Sequence, residues 1–100
     1  MTGVGYFQTL EDFYARGIEL MRKKNADYAG VTDPFKNFRN AQLIGLTVEQ
    51  AILVRILDKL ARIGNLIDKE AQVADESLED TLMDCANYLN ILAAYRSSNH

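Results

Sequence analysis

Read along the chain, apolar positions recur mostly at spacings of three and four, the period of an amphipathic helix. Leu10, Phe13, Tyr14, Gly17, Ile18 and Met21 share one face of a helix predicted from about Glu11 to Lys24. Glu11, Asp12, Ala15, Arg16, Glu19, Arg22 and Lys23 take the other face, and Thr9 with Asp12 has capping-box spacing at its start. Asn, Asp and Gly cluster from Asn25 to Asp33, which reads as a loop, and Pro34 biases Asp33 toward extended backbone. A short helix is expected from about Phe35 to Leu43, stopping at Gly45.

Thr47, followed three residues later by Gln50, signals the start of a second long helix running to about Glu70. Its apolar arc carries Ile52, Leu53, Val54, Ile56, Leu57, Leu60, Ala61, Ile63 and Ile67, and is wider than one surface helix of a small monomer needs. That helix is therefore expected to be central or to contribute to an oligomer interface. Ser77 and Asp80 cap a third helix running to about Arg96. Leu78, Leu82, Cys85, Ala86, Leu89, Leu92 and Ala93 form its expected core stripe, and Glu76, Glu79, Met83 and Asn90 an outer wedge. The pattern predicts an all-α bundle, a single domain over residues 1–100, with two long antiparallel helices and a third, shorter one.

One hundred residues with 48% apolar content suit one small folded domain and exclude a disordered tail. A net charge of −3 argues against duplex DNA as the main partner, because phosphate neutralisation needs a basic face. Small phosphorylated ligands need only a local cluster. Cys85 is the only cysteine and reads as a buried free thiol; His100 is the only histidine. Histidine triads and cysteine-based zinc sites are thus excluded within one chain. No signal peptide or bilayer-spanning stretch is evident, so a cytoplasmic, membrane-free protein is expected.

The third helix carries the most unusual chemistry. Asp80, Asp84 and Asn87 stack at i, i+4 and i+7, with Tyr88, Ile91 and Tyr95 beside or beyond them. Three oxygen-bearing groups in a row suit a hard cation such as Mg²⁺, and the bland alternative is a solvated face with an acidic first turn. On the second helix, Arg55, Asp58, Arg62, Asn65 and Lys69 form a matching polar seam, to be read either as a third carboxylate with phosphate-binding cations, Lys59 among them, or as a salt-bridge ladder. Between the first two long helices, Lys24, Asp27, Tyr28, Asp33, Phe35, Lys36, Asn37, Phe38 and Arg39 fall close together. Rings stack on bases, an amide reads their edges, and cations meet phosphate. Alternatively, Phe35 and Phe38 plug the open end of the bundle.

Four segments carry a resemblance: Asn25-Ala26-Asp27-Tyr28-Ala29-Gly30, Asp33-Pro34-Phe35-Lys36-Asn37-Phe38, Arg55-x-x-Asp58-Lys59-x-x-Arg62, and Glu79-Asp80-Thr81-Leu82-Met83-Asp84-x-Ala86-Asn87-Tyr88. Together they resemble the nucleotide modification associated domain 1 family, common in phages, over about Leu20 to Leu92. The helical half is also similar to the all-α nucleotide pyrophosphatases typified by MazG and the dimeric dUTPases, which bind Mg²⁺ through a Glu-x-x-Glu pair and a Glu-x-x-Asp pair. Asp84 followed by Tyr88 matches the end of the second pair. Thr81 stands where its Glu would be, with Asp80 one residue earlier, and the preceding helix has Asp58 but no Glu-x-x-Glu.

The resemblance implies a phage-type nucleotide-binding protein, assembled as a homo-oligomer, and the wider group implies Mg²⁺-dependent hydrolysis of nucleoside triphosphates as its activity. Asp58, Asp80 and Asp84 would hold Mg²⁺ with Asn87 as auxiliary ligand and would be the catalytic set. Lys24, Lys36, Arg39, Arg55, Lys59 and Arg62 would meet phosphate. Asp27, Tyr28, Phe35, Asn37, Phe38 and Tyr88 would complete the ligand pocket. The alternatives are a protein that sequesters a nucleotide without turning it over, and a structural oligomerisation module.

Overall fold

A computed structural model describes residues 2–28, 33–69 and 77–99; the side chains of Asp27, Tyr28 and Asn99 fall outside that description. The order is α1 (Gly3–Tyr28), α2 (Lys36–Arg39), a 3₁₀ segment (Asn40–Ile44), α3 (Val48–Leu66) and α4 (Leu78–Asn99), with no strand among the described residues. The all-helical expectation holds. No helix among the described residues is long and apolar enough to cross a membrane.

The boundaries differ most in α1. At 26 residues it is the longest of the described helices and extends past both ends of the expected span, Glu11 to Lys24. It starts at Gly3 rather than about Glu11 because Thr2 caps it: the Gly5 amide donates to Thr2 Oγ1 at 3.0 Å and the Tyr6 amide to the Thr2 carbonyl at 2.9 Å. Thr9, the expected cap, is instead inside the helix, where its hydroxyl donates back to the Gly5 carbonyl. At the other end the helix absorbs Asn25 to Tyr28 from the expected loop, of which residues 29–32 lie outside the described residues.

The start signals at Thr47 and Ser77 and the stop at Gly45 hold. Thr47 Oγ1 accepts from the Gln50 amide at 3.0 Å while Gln50 Oε1 accepts from the Thr47 amide at 2.9 Å, closing the capping box of α3. Ser77 Oγ accepts from the Asp80 amide at 3.0 Å. Gly45 ends the 3₁₀ segment with φ of 83°, a left-handed conformation that glycine adopts without a steric penalty. α3 stops at Leu66, short of the predicted end near Glu70.

α3 and α4 form the central pair. Glu49 near the start of α3 pairs with Arg96 near the end of α4, and Lys59 further along α3 pairs with Asp84 earlier on α4, so the two run antiparallel. Val48, Ile52, Ile56 and Cys85 make the buried core, with Phe38, Ile63, Tyr88, Ile91, Leu92 and Tyr95 packed around it. Ile52 is completely buried, worth about 2 kcal/mol of transfer free energy. Among the described elements, α1 packs chiefly on α4.

The expected core stripe of α4 needs correction. Leu82 and Leu89 are exposed, whereas Met83, expected in the outer wedge, is buried together with Thr81 and Asn87. α4 buries two faces, one toward α3 and one toward α1, and this leaves the Leu82–Leu89 stripe outward. On α3, likewise, Leu53, Val54, Leu57 and Leu60 are exposed beside the buried Ile52 and Ile56. The apolar arc of α3 is wider than the described residues bury.

Candidate functional site

The face of α4 that carries Asp84, Asn87, Tyr88, Ile91 and Tyr95 does pack against other elements, as the aromatic continuation of its polar stripe suggests. Three close approaches define it. Gly17 of α1 lies against Asn87: an added Cβ would meet Asn87 Oδ1 at 2.7 Å. Phe38 meets Tyr88 edge to face at 6.3 Å between centroids, and Phe35 meets Tyr95 in the same way at 5.2 Å. Both phenylalanines therefore pack on α4, and they also bound a cavity.

That cavity is a cleft of about 520 Å³. α1 contributes Met21, Lys24 and Asn25; the α2 region contributes Pro34, Phe35, Asn37 and Phe38; α4 contributes Tyr88, Ile91 and Ala94. Its size and mostly apolar walls with a few polar groups are those of a small-molecule site. Five sequence candidates, Lys24, Phe35, Asn37, Phe38 and Tyr88, converge here. Met21, Asn25, Pro34, Ile91 and Ala94 join them without being among the candidates. The sequence pattern places Met21 in the core and Ile91 on the extension of the functional face. Ala94 follows Ile91 at helical spacing, and that spacing is the signal that could have found it.

The α2 wall is fixed by Asp33. Its Oδ1 accepts from the Phe35 amide at 3.0 Å and its Oδ2 from Arg39 Nε at 2.8 Å. The Arg39 hydrogen bond, followed by the Phe35 amide, holds the Asp33 carboxyl below the usual carboxylate range, and Asp33 in turn raises Arg39, which stays charged throughout. Arg39 thus positions the wall rather than presenting its charge to the cleft. A group favoured as carboxylate in the folded state adds stability above its unfolded pKa of about 4 and loses it as pH falls through the lowered folded value. The near-UV signal of Tyr88 and Tyr95 should stay flat from pH 7 to about pH 4 and change below it. Asp33→Asn should remove that acid step; an unchanged step in the variant would assign it elsewhere.

Asp84 does not sit with other carboxylates. Its Oδ1 is 3.8 Å from Lys24 Nζ and its Oδ2 is 3.3 Å from Lys59 Nζ, so one carboxylate joins three helices. Asp58 and Asp80 are exposed, and the described residues contain no group of three or more His, Cys, Asp or Glu side chains able to hold a metal. The expected Asp58, Asp80, Asp84 and Asn87 cation set is not assembled: Asp84 is turned into lysines, and Asn87 is buried against Gly17. Most of the polar seam of α3 faces solvent. Arg55, Asp58, Asn65 and Lys69 are exposed, and Arg62 is half-buried; Lys59, one position from the seam, makes the contact. Lys36 is exposed beside the cleft wall. The side chains of Asp27 and Tyr28 lie outside the described residues.

Compared with known proteins, the chain matches no family model, no curated protein and no solved structure. The class supported by fold and site together is a small helical bundle with an aromatic cleft and two lysines beside it.

Proposed function

We propose that the protein binds a nucleotide, with the base in the aromatic cleft and the phosphates toward Lys24 and Lys59. The supporting observation is the convergence of Phe35, Phe38 and Tyr88 with the Asn37 amide and the Lys24 ammonium around one cleft of about 520 Å³. Aromatic walls give any base a stacking surface, an amide offers a donor and an acceptor to its edge, and lysine supplies phosphate charge. None of the cleft-lining residues is acidic among the described residues.

Turnover through Mg²⁺ needs carboxylates that the described site does not bring together, so binding without hydrolysis is the reading we favour. In a phage, the setting the family resemblance implies, a pocket that keeps a nucleotide intact would suit sequestration of a host signal. Self-association through the exposed apolar faces, and a MazG-like arrangement of the assembly, belong to the same proposal.

The test is a thermal-shift series with nucleoside triphosphates, nucleosides and inorganic tripolyphosphate, with and without Mg²⁺, followed by chromatography of the recovered ligand. A nucleoside triphosphate at 100 times its Kd should stabilise the fold by about 2.7 kcal/mol and be recovered unchanged. No nucleotide exceeding tripolyphosphate would discard the base pocket. Product formed only with Mg²⁺ would replace the binding reading with the hydrolase one.

A further inference from the structure

We infer that Asp84 is an internal counter-ion that occupies the anion subsite of the cleft and holds its affinity down, and that the subsite takes polyphosphate through Lys24 and Lys59 without a divalent cation. The inference deepens the nucleotide-binding proposal and rests on it for the identity of the natural ligand.

Two ammonium groups, from α1 and α3, converge on the single carboxylate of Asp84 on α4. The cluster carries a net charge of about +1 by simple charge counting at neutral pH. It is open to solvent: the Lys24 side chain is 55% exposed, while those of Asp84 and Lys59 keep 26% and 22%. Lys24 also lines the aromatic cleft, whereas Asp84 and Lys59 do not, so Lys24 is the group through which a ligand in the cleft would meet this cluster. A phosphoryl oxygen and the Asp84 carboxylate would compete for the same ammonium groups. Within a few ångströms of them, the carboxylate also repels an incoming anion.

The same geometry runs against a cation at Asp84. A divalent ion would have to displace two ammonium charges already within 3.8 and 3.3 Å, with no three-carboxylate group among the described residues to help it. Carboxylates used for Mg²⁺ retain free oxygen lone pairs and face water or phosphate; here each Asp84 oxygen faces an ammonium group.

The two readings make opposite predictions for one substitution. Inorganic tripolyphosphate, in low salt with EDTA, is the probe, titrated into the intact protein by calorimetry. Asp84→Asn keeps the shape and removes the competing charge, and should tighten tripolyphosphate binding about tenfold. Lys59→Gln should weaken it by a similar factor. Glu79→Gln removes the same charge from an exposed site on α4 outside the cluster and should tighten binding clearly less than Asp84→Asn does. Added Mg²⁺ should not strengthen binding.

Weaker binding in Asp84→Asn, a requirement for Mg²⁺, or no tripolyphosphate binding by the wild type and Asp84→Asn alike would each overturn the inference. So would an Asp84→Asn variant that loses thermal stability with unchanged affinity, which would make the cluster a structural bridge alone. The nucleotide reading fails separately: a nucleoside triphosphate that binds no tighter than tripolyphosphate, while Asp84→Asn still tightens both, would leave the anion subsite standing without a base pocket.

Discussion

Replacing Gly17 with valine should lower the unfolding free energy by about 2 kcal/mol, an overpacking cost partly offset by the better helix propensity of valine. In a domain of this size that is a melting-temperature loss of about 10 °C. The cause is local. A Cβ at position 17 would stand 2.7 Å from Oδ1 of the buried Asn87, closer than such atoms can stay. The Asn87 amide must shift within its buried surroundings or α1 must move away from α4. Met21, Lys24 and Asn25 lie one to two turns further along the same helix and form one wall of the cleft, so the movement would open the site as well. Gly17→Ala is the finer probe, because its gain of about 1 kcal/mol in helix propensity opposes the clash. Its double variant with Asn87→Ala should be more stable than Gly17→Ala alone. If Gly17→Val melts with the wild type, the α1–α4 approach is not as close as described.

What is legible in the sequence follows from where the information is local. Caps are local: Thr47, Ser77 and Gly45 mark their helix ends as expected, because the groups that satisfy the orphan amides at the starts and the orphan carbonyls at the stop lie within four residues. The start of α1 is harder to read because two threonines compete for it. Thr9 has an acidic residue at capping-box spacing yet lies inside the helix, and Thr2, without one, makes the cap. The α4 stripe misleads for a different reason. An i, i+3, i+4 pattern identifies an apolar face, but which of two adjacent faces a small bundle buries depends on where other elements cross. Thr81 shares the buried face of Cys85, while Met83 and Asn87 lie on another face, where Asn87 meets Gly17 of α1; Leu82 and Leu89, between the two faces, are outside.

The site is half legible for related reasons. Phe35, Asn37 and Phe38 stand out as rings and an amide together, and Tyr88 as an aromatic next to a polar stripe; all four meet at the cleft. Asp84 stands out as well, but its spacing from Asp80 suggests a cation. Spacing within one helix does not show that Lys24 and Lys59, from two other helices, arrive at the same carboxylate. A pair of acidic residues is compatible with metal binding or with lysine pairing, and the neighbours decide between them.

The chain should be a dimer or larger at micromolar concentration, and Phe7→Glu should raise its dissociation constant at least about 100-fold, as charging a central apolar anchor does. Phe7, Leu10, Tyr14, Gly17 and Met21 follow one another at helical spacing, so they form a single stripe. Gly17 and Met21 at its C-terminal end face α4 or the cleft, but Phe7, Leu10 and Tyr14 stay exposed among the described residues. Phe7 is 63% exposed, and Val4, one turn earlier on the same stripe, is 83% exposed. Leu57 of α3 and Leu89 of α4, at 57% and 52%, add two more exposed apolar positions. A contiguous exposed apolar stripe such as Val4, Phe7, Leu10 and Tyr14 suits an interaction surface. A second copy is the occupant that needs least: the segment from Gly3 to Leu10 carries no charged side chain, so a twofold pairing of two such segments brings no like charges together. Sedimentation equilibrium of wild type and Phe7→Glu measures both quantities. Because Phe7 is largely exposed and its ring contact among the described residues is with its neighbour Tyr6, the variant should keep its circular-dichroism spectrum while its mass falls to that of one chain. A wild type that sediments as one chain even well above micromolar concentration, or a Phe7→Glu variant of unchanged mass, would remove self-association from the reading and leave the cleft to a single chain.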